Sequence, residues 1–172
     1  MYETILSPIN YGGLQLKNRI IFAPTTFGLS DEEYLARIHS IAEGGCAMII
    51  VGDVPVGKSK FEKSLFDSKG FAFYQKIVEI AHNADCKVCA QLHQSDSNLL
   101  AMFKYIPGLL LKKTTPDQLR EKLNAEVAPY ITSMSQRKIH EIISGFGKAA
   151  ALAKQAGFDM VQVHGDRMCG SF

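Results

Sequence analysis

Four polar side chains stand at or near the ends of short apolar runs, and these residues are the best placed to do chemistry. Thr25 and Thr26 follow one run, Gln91 lies near the end of another, and His164 follows a third. Hydroxyl, amide and imidazole groups all donate and accept hydrogen bonds, which suits them to bind a polar ligand. The pattern predicts a ligand-binding rim built from several strand ends.

The elements that would carry these residues alternate regularly along the chain. Apolar runs predict strands, and apolar residues at helical spacing between them predict helices. Repeated strand–helix units form parallel sheets, and ligands bind beyond the carboxyl ends of such strands. Before the first strand, Gly12–Gly13 lies between two short alternating runs and predicts a β-hairpin within residues 1–17. The strands are expected at 20–24, 47–54, 87–92 and 160–163.

Local signals define several helix boundaries. Ser30 followed by Glu33 has the spacing of a capping box, and so does the start of the segment 115–118. Pro129 is expected to end the helix that begins there. The region 93–133 is a long insertion after the third strand, and its length predicts that it has its own structure or a function.

Two closed arrangements of such units compete, a doubly wound sheet and an eight-stranded barrel. A dinucleotide-binding sheet would carry G-x-G-x-x-G after its first strand, whereas this sequence has APTTFG there. A barrel fits better, although a complete one needs about 250 residues. The chain of 172 residues is therefore predicted to be a single domain, 1–172, of the α/β class. It would contain about the first four units of a (β/α)8 TIM-barrel fold.

Composition and charge argue against several classes of protein. The formal net charge is only +2, and the lysines at 58, 60 and 63 are interpreted as a solvated face rather than a nucleic-acid surface. The longest apolar stretch, 99–111, is interrupted by Lys104 and a Pro-Gly pair, and it is too short to span a bilayer. The first residues lack the basic and then apolar pattern of a signal peptide. A cytoplasmic globular protein is predicted.

The cysteine and histidine positions predict no metal site. Cys86 and Cys89 match C-x-x-C, but they enter an apolar strand, in which residues three apart face opposite sides. A redox or metal motif would want both thiols on a turn or a helix start. Four histidines are interpreted as surface or helix-face residues: His39, His82, His93 and His140.

Four segments together resemble the old yellow enzyme family of FMN-dependent NAD(P)H oxidoreductases. They are SPINYGGLQLKNRIIFAPTT, EGGCAMIIVGDV, AQLHQ and HEIISGFGKAAALAKQAGFDMVQVHG, and the resemblance that they carry extends over nearly the whole chain. Each is weak alone, but their order and their intervals are specific. The resemblance implies an eight-stranded α/β barrel that holds FMN at its carboxyl face, with the hairpin closing the opposite end.

The resemblance also implies which residues contact the flavin. The segment 23–26 matches the part of the first strand that lies along the ring, and the Thr26 hydroxyl would bond a flavin carbonyl. Val54 matches a small residue at the end of the second strand and would act through its backbone. Gln91 matches a glutamine whose amide offers a donor and an acceptor to the pyrimidine edge. The implied cofactor-binding residues are Ala23, Pro24, Thr25, Thr26, Val54 and Gln91.

Two catalytic residues are implied in the same way, His164 and Arg167. His164 matches the first of a pair of residues that hydrogen-bond the substrate carbonyl and stabilise its developing negative charge. Arg167 stands where the second residue, usually histidine or asparagine, is expected. A guanidinium forks well onto a carboxylate, so an enoate or dienoate substrate is one hypothesis, and pairing with Asp166 is the alternative. The protonating tyrosine of the family aligns near Cys169, so solvent is a candidate proton donor.

The resulting interpretation is an NADH- or NADPH-dependent flavin oxidoreductase. It would transfer hydride from reduced FMN to an activated alkene, in an α,β-unsaturated carbonyl or carboxylate. Its partners would be this small-molecule substrate and either a homo-oligomer or a missing C-terminal half.

One alternative to this enzyme stays open, and a further one is less favoured. Barrels of this kind bind phosphate with the loops after strands seven and eight, and these 172 residues contain neither loop. The chain would then be a half-barrel without FMN binding or catalysis, a fragment or one half of an assembly. An aldolase-like barrel would instead need a Schiff-base lysine at a strand end, and none of the four predicted strands offers one.

Overall fold

The computed structural model describes residues 2–25, 27–59, 62–94, 105–111 and 113–165. The chain divides into two compact units, 1–92 with 145–163, and 93–144 with 164–172. The described helices are α1 (Glu3–Leu6), α2 (Asp31–Glu43), α3 (Ser68–Asn83), α4 (Ile106–Leu110), α5 (Pro116–Thr132) and α6 (Gln136–Ala156). The described strands are β1 (Ile9–Tyr11), β2 (Leu14–Leu16), β3 (Ile21–Phe22), β4 (Met48–Pro55), β5 (Lys87–His93) and β6 (Met160–Val163).

A parallel sheet forms the centre of the first unit. Its strands lie in the order β3, β4, β5, β6, so neighbours along the chain are also neighbours in the sheet. Ile21 pairs with Met48 at one side, and Cys89 pairs with Met160 at the other. The two central strands, β4 and β5, are largely apolar and largely buried, as parallel strands covered on both faces are. β3 is shorter than the predicted run 20–24, and Pro24, which has no N–H to donate to a ladder, lies outside it.

The predicted hairpin is confirmed as the antiparallel pair β1 and β2, in which Ile9 lies opposite Leu16. Gly12 has a φ of 59° and Gly13 a φ of 88°. A two-residue turn with positive φ at both positions matches the twist of the flanking strands, and glycine adopts it without steric cost. Gly13 N–H donates to the side-chain oxygen of Asn10 at 3.0 Å, which closes the turn.

Buried apolar residues form two cores in the first unit, one on each face of the sheet. Leu16 of the hairpin packs with Met48 and Cys89 on one face. The larger core lies between the other face and helices α2, α3 and α6. The alternation of side chains along a strand explains the division, because successive residues point to opposite faces. This larger core, called the helix-facing core below, contains residues from both the helices and the strands, among them Ile38, Ala42, Ile49, Val51, Ile77, Ala81, Val88, Ala149 and Ala153.

Two polar side chains hold the beginnings of the strands. Asn18 donates from Nδ2 to the Gly45 carbonyl at 2.8 Å and accepts from the Ile20 N–H at 2.9 Å. The Asp159 carboxylate accepts from the Val88 N–H at 2.8 Å and lies 2.8 Å from Nε2 of His82. Charge-assisted hydrogen bonds of this kind fix a loop against a strand more firmly than neutral ones.

The insertion 93–133 carries helices α4 and α5 in its described part, so it has structure of its own. The Tyr105 hydroxyl donates to the Glu126 carboxylate, and Nζ of Lys122 lies 5.8 Å from the centre of the Tyr105 ring. Among the helices within the described ranges, none combines the length and apolar content needed to cross a lipid bilayer.

Both predicted capping boxes are confirmed, at Ser30 and at Thr115. The prediction that Pro129 ends its helix is wrong, since α5 continues to Thr132. The proline lies in the last turn, where its missing N–H costs one hydrogen bond. The hydroxyl of Thr132 donates to the Ala128 carbonyl at 3.0 Å, and that of Ser133 donates to the Pro129 carbonyl at 2.7 Å. These bonds satisfy carbonyls at the helix end.

Candidate functional site

The predicted first-strand segment continues beyond β3 without ladder pairing. Ala23, Pro24 and Thr25 follow Phe22 directly, and the Thr25 hydroxyl donates to the Ala23 carbonyl at 3.4 Å. Thr26 lies outside the described residues, so its bond to a flavin carbonyl stays a prediction. The backbone groups of Ala23–Thr25 lie beyond the end of β3, at the carboxyl side of the sheet.

Three strand ends converge around Gly52 of β4. A Cβ atom on Gly52 would lie 3.2 Å from Cβ of Pro24, 3.6 Å from the backbone nitrogen of Thr25 and 3.7 Å from Oε1 of Gln91. Glycine therefore lets the chain after β3 and the amide on β5 approach the β4 backbone closely. Three of the predicted cofactor-binding residues are brought together at this point.

Gln91 is oriented by a neighbour on the next strand. The register pairs it directly with Gln162, and its Nε2 donates to Oε1 of Gln162 at 2.8 Å. The side chain is largely buried, with 9% of the residue exposed. One of its two amide N–H groups makes this bond, while the amide oxygen lies on the side of Gly52. Gln91 is therefore held as a neutral amide near Pro24 and Thr25.

The strand β4 changes direction just after Gly52. Asp53 has a φ of 56°, in the left-handed region that residues other than glycine, asparagine and aspartate rarely adopt. Val51 and Val54, three residues apart, both belong to the helix-facing core, so the regular alternation is broken between them. Val54 is completely buried. Since the exposed fraction is that of the whole residue, the predicted contact between the Val54 backbone and a ligand stays a prediction.

The histidine at the end of β6 is His164, which follows Val163 directly and is half-buried. It belongs to the second unit. Arg167 lies outside the described residues, as Asp166 and Cys169 do, so the pairing of His164 with Arg167 stays a prediction. The interpretation of His93 as a surface or helix-face residue is wrong. β5 extends one residue beyond the predicted end at Leu92, and His93 is 1% exposed.

A pocket of about 300 Å³ opens beside Gly52 in the first unit. Lys63 lines it and is held by Asp31, at 2.7 Å from Nζ, and by the Phe73 ring, whose centre lies 4.5 Å away. Burial raises the pKa of Tyr34, and the negative charge of Asp53 adds to the effect. Tyr34 therefore stays a neutral phenol. The aromatic side chains that line the pocket are Phe27, Tyr34, Phe73 and Tyr74.

Gly52 and Gln162 were not predicted as site residues, although each left a signal in the sequence. A glycine within a buried strand often marks a close approach of another backbone or a ligand. Gln162 is the polar residue within the apolar run 160–163. Their importance depends on the register between strands, because register decides which residues of different strands face one another.

The arrangement suits a flat group with polar edges. Backbone groups of 23–25 lie on one side, a neutral amide lies on another, and the absence of a side chain at Gly52 lets both approach the β4 backbone closely. The isoalloxazine ring of FMN is such a group, and the residues present therefore fit it. Within the described residues, no group of three or more histidine, cysteine, aspartate or glutamate side chains is arranged to hold a metal ion.

Comparison with known sequences gives one family. The pattern of the NADH:flavin oxidoreductase / NADH oxidase family matches residues 4–167. The chain is 57% identical over 173 residues to a protein named bilirubin reductase from Clostridium symbiosum. The match covers 100% of this chain and 46% of that protein. A second protein named bilirubin reductase, from Mediterraneibacter gnavus, is 29% identical and is covered to 26% of its length. The chain thus spans less than half the length of these relatives.

Comparison with solved structures gives the fold. The old yellow enzyme from Pichia sp. AKU4542 superposes with a TM-score of 0.68 at 23% identity, over 94% of this chain and 45% of that one. Histamine dehydrogenase from Rhizobium sp. 4-9 also gives a TM-score of 0.68, at 17% identity, over 98% of this chain and 26% of that one. The α/β fold of the chain is therefore the first part of the barrel of old yellow enzymes, as predicted.

Proposed function

The chain belongs to the NADH:flavin oxidoreductase / NADH oxidase family, and from this premise we propose that it is part of an ene-reductase. FMN is the cofactor and NADH or NADPH the reductant that the family match and the names of the relatives indicate. The substrate would be an alkene activated by a conjugated carbonyl or carboxylate. Bound FMN would supply the hydride that the nicotinamide nucleotide provides.

The observation that carries the proposal is the convergence of Pro24, Thr25 and Gln91 around Gly52. The backbone of 23–25 would lie along the ring, and Gln91 would meet its pyrimidine edge with an N–H and an oxygen. Gln162 holds the Gln91 amide in place through the 2.8 Å bond, so the donor and acceptor are oriented before a ligand arrives. Pre-orientation reduces the entropy lost on binding.

His164 and Arg167 would act on the substrate rather than on the cofactor. An imidazole N–H of His164 would donate to the substrate oxygen and stabilise the negative charge that develops there during reduction. Arg167 would receive the carboxylate of an acidic substrate with its forked N–H groups. These roles are carried over from the family residues that His164 and Arg167 match. Their position in the chain agrees, because both residues follow β6.

The acidic character of the substrate can be made more specific. The relative at 57% identity is named bilirubin reductase. Bilirubin contains conjugated double bonds together with carboxylate side chains, so it combines the two features proposed here. We infer that the substrate is a conjugated carboxylate of this class, with bilirubin as a first compound to assay. The arginine would determine the preference for the acid over its ester.

A second candidate is a half-barrel that neither binds FMN nor catalyses. The chain covers 46% of its 57%-identical relative, and barrels of this type frequently bind phosphate with loops after strands seven and eight. In that case the residues that face the flavin ring would be present, but the loops that bind the FMN phosphate would not. The two candidates differ in one measurable property, the affinity of the chain for FMN.

The test is a titration of the purified chain with FMN, followed by the quenching of flavin fluorescence. Gln91→Glu is expected to weaken binding by about tenfold, or about 1.4 kcal/mol, because a carboxylate cannot donate to the ring. Gln155→Glu makes the same change on an exposed position of α6 and should bind as the parent does. Saturable binding that is insensitive to Gln91→Glu would refute the site, and no binding at all would favour the half-barrel.

A second measurement tests the substrate. The FMN-loaded chain, supplied with NADPH, is offered bilirubin and its dimethyl ester, and pigment absorbance is followed. The acid is expected to react faster than the ester, and Arg167→Ala should lose that preference. Full preference in Arg167→Ala would exclude the guanidinium as the carboxylate-binding group and would leave its pairing with Asp166 as the better interpretation.

A further inference from the structure

Two cysteines that are far apart in sequence meet at the beginnings of neighbouring strands. Sγ of Cys46, two residues before β4, lies 3.6 Å from Sγ of Cys86, the residue before β5. The two residues are 40 positions apart in the chain. Both belong to the helix-facing core of the first unit, away from the strand ends that carry Gly52 and Gln91.

We propose that Cys46 and Cys86 are a redox-active dithiol that a peroxide converts to a disulfide. Adjacent strands lie roughly 5 Å apart, which is within the Cα separations that a disulfide bridges, about 4.4–6.8 Å. The backbone is fixed at this place, because the Lys87 N–H donates to the Ala47 carbonyl at 2.9 Å. The sulfur atoms therefore need only approach to about 2 Å by rotation of their side chains.

The surroundings assign different roles to the two thiols. The hydrogen bond between the two thiols lowers the pKa of Cys46, and the positive charge of Lys17 lowers it further, although burial acts in the opposite direction. The pKa of Cys86 is raised by the hydrogen bond between the two thiols, by burial, and by the negative charges of Cys46 and Asp159. Lys17 is held nearby by its bond to the Ala84 carbonyl at 2.9 Å. Cys46 is thus the nucleophile and Cys86 the thiol that resolves the product.

The chemistry balances with hydrogen peroxide as the oxidant. The Cys46 thiolate attacks one peroxide oxygen, the O–O bond breaks, and the released hydroxide takes a proton to become water. Cys46 is now a sulfenic acid. The Cys86 sulfur attacks the Cys46 sulfur, the S–O bond breaks, and the Cys86 proton leaves with the hydroxyl as a second water. Two thiols have lost two electrons, and the peroxide has gained them.

Burial restricts which oxidant can react. Cys46 is 6% exposed and Cys86 is 1% exposed, so a small oxidant reaches the pair more readily than a bulky one. Cys89 provides an internal control. It is equally buried, but it lies in the core on the other face of the sheet, and burial raises its pKa to about 11. A thiol of that kind reacts slowly, because the thiolate is the reactive form.

The experiment treats the reduced chain with hydrogen peroxide, alkylates remaining thiols under denaturing conditions, and maps the peptides by mass spectrometry. The expected product joins the Cys46 and Cys86 peptides with a loss of about 2 Da, the two hydrogens of the thiols. Dithiothreitol should reverse it. Cys46→Ser and Cys86→Ser should each abolish this product, whereas Cys89→Ser should retain it.

The pH dependence separates this reaction from unspecific oxidation. The hydrogen bond to Cys86 and the charge of Lys17 lower the pKa of Cys46, and Asp159 is the other charged group that faces the pair. The rate of disulfide formation should therefore rise with pH and level off at a lower pH than for an ordinary thiol. Free thiols at both positions after treatment would overturn the proposal. So would a bond from either cysteine to another residue, or formation of the Cys46–Cys86 bond at a rate that follows an ordinary thiol pKa near 8.5.

Discussion

At the level of single residues, Gly52 determines how closely three strand ends approach one another. Gly52→Ala would add a methyl group 3.2 Å from Cβ of Pro24 and 3.7 Å from Oε1 of Gln91. Pro24 would have to shift by a few tenths of an ångström, whereas Gln91 would meet the methyl group at an ordinary contact distance. The backbone of 23–25, which is proposed to lie along the flavin ring, would move with Pro24. FMN binding is expected to weaken by about tenfold, or about 1.4 kcal/mol, in a fluorescence titration.

Gly57→Ala is the matched control for that substitution. A Cβ atom at Gly57 would meet no atom within 4 Å, so the same change in backbone freedom comes without a contact. It should leave FMN affinity unchanged. Unaltered FMN affinity in Gly52→Ala would show that the ring does not lie over this glycine. If the variant instead lost FMN affinity and also unfolded at a lower temperature, the loss of affinity would be attributed to folding.

Some residues of the site could be predicted from the sequence, but the residues of other strands that contact them could not. Gln91 was identified from its place in the segment AQLHQ, whereas Gln162, which orients it, is 71 positions away in the chain. The cysteines show the same limit. The sequence motif draws attention to Cys86 and Cys89, which lie in different cores, while the sulfur beside Cys86 belongs to Cys46. Register between parallel strands creates both pairs, and register is a property of the assembled sheet.

At the level of the elements, Gly70 permits helix α3 to begin close to the preceding loop. A Cβ atom there would lie 2.2 Å from the carbonyl oxygen and 2.6 Å from the nitrogen of Ser64. Ser64 is buried and its hydroxyl donates to the Gly57 carbonyl at 2.7 Å, so this backbone is held in place. Gly70→Ala is expected to lower the free energy of unfolding by about 3 kcal/mol or more, as measured by urea denaturation.

Gly147→Ala tests the same substitution where there is space. Gly147 lies within helix α6, and a Cβ atom there would have no neighbour within 4 Å. Alanine is the better helix former, so the free energy of unfolding should rise by about 1 kcal/mol. If Gly70→Ala and Gly147→Ala had equal effects, the close approach of α3 to Ser64 would not be a determinant of stability.

Element boundaries could be predicted where local chemistry sets them. The capping boxes at Ser30 and Thr115 depend on residues three positions apart, and both were correct. The end of α5 was missed because two hydroxyls stabilise the turn after Pro129, which the proline alone does not reveal. The left-handed Asp53 was also missed. Its conformation follows from the burial of both Val51 and Val54 on one face, which depends on the helices packed there.

At the level of the whole molecule, the sheet has two outer strands in the described part of the chain. β3 stands at one end of the strand order and β6 at the other, and each pairs with one described strand. Val161 and Val163 of β6 are 39% and 57% exposed, although both are apolar. Exposed apolar strands at a sheet edge tend to pair with another chain. This edge is therefore the part of the first unit expected to mediate association between copies.

The prediction for the whole chain concerns its assembly at rising concentration. Sedimentation velocity of the parent chain is expected to show an increasing average mass, whereas the double variant Val161→Lys, Val163→Lys should remain monomeric, because charge on an edge strand opposes pairing. Leu6→Lys is the control, since Leu6 is also exposed, at 58%, but lies on α1 rather than on the sheet. Equal association of all three proteins would show that the β6 edge does not join the copies, and a parent chain that stays monomeric at every concentration would remove the homo-oligomer from the proposed partners.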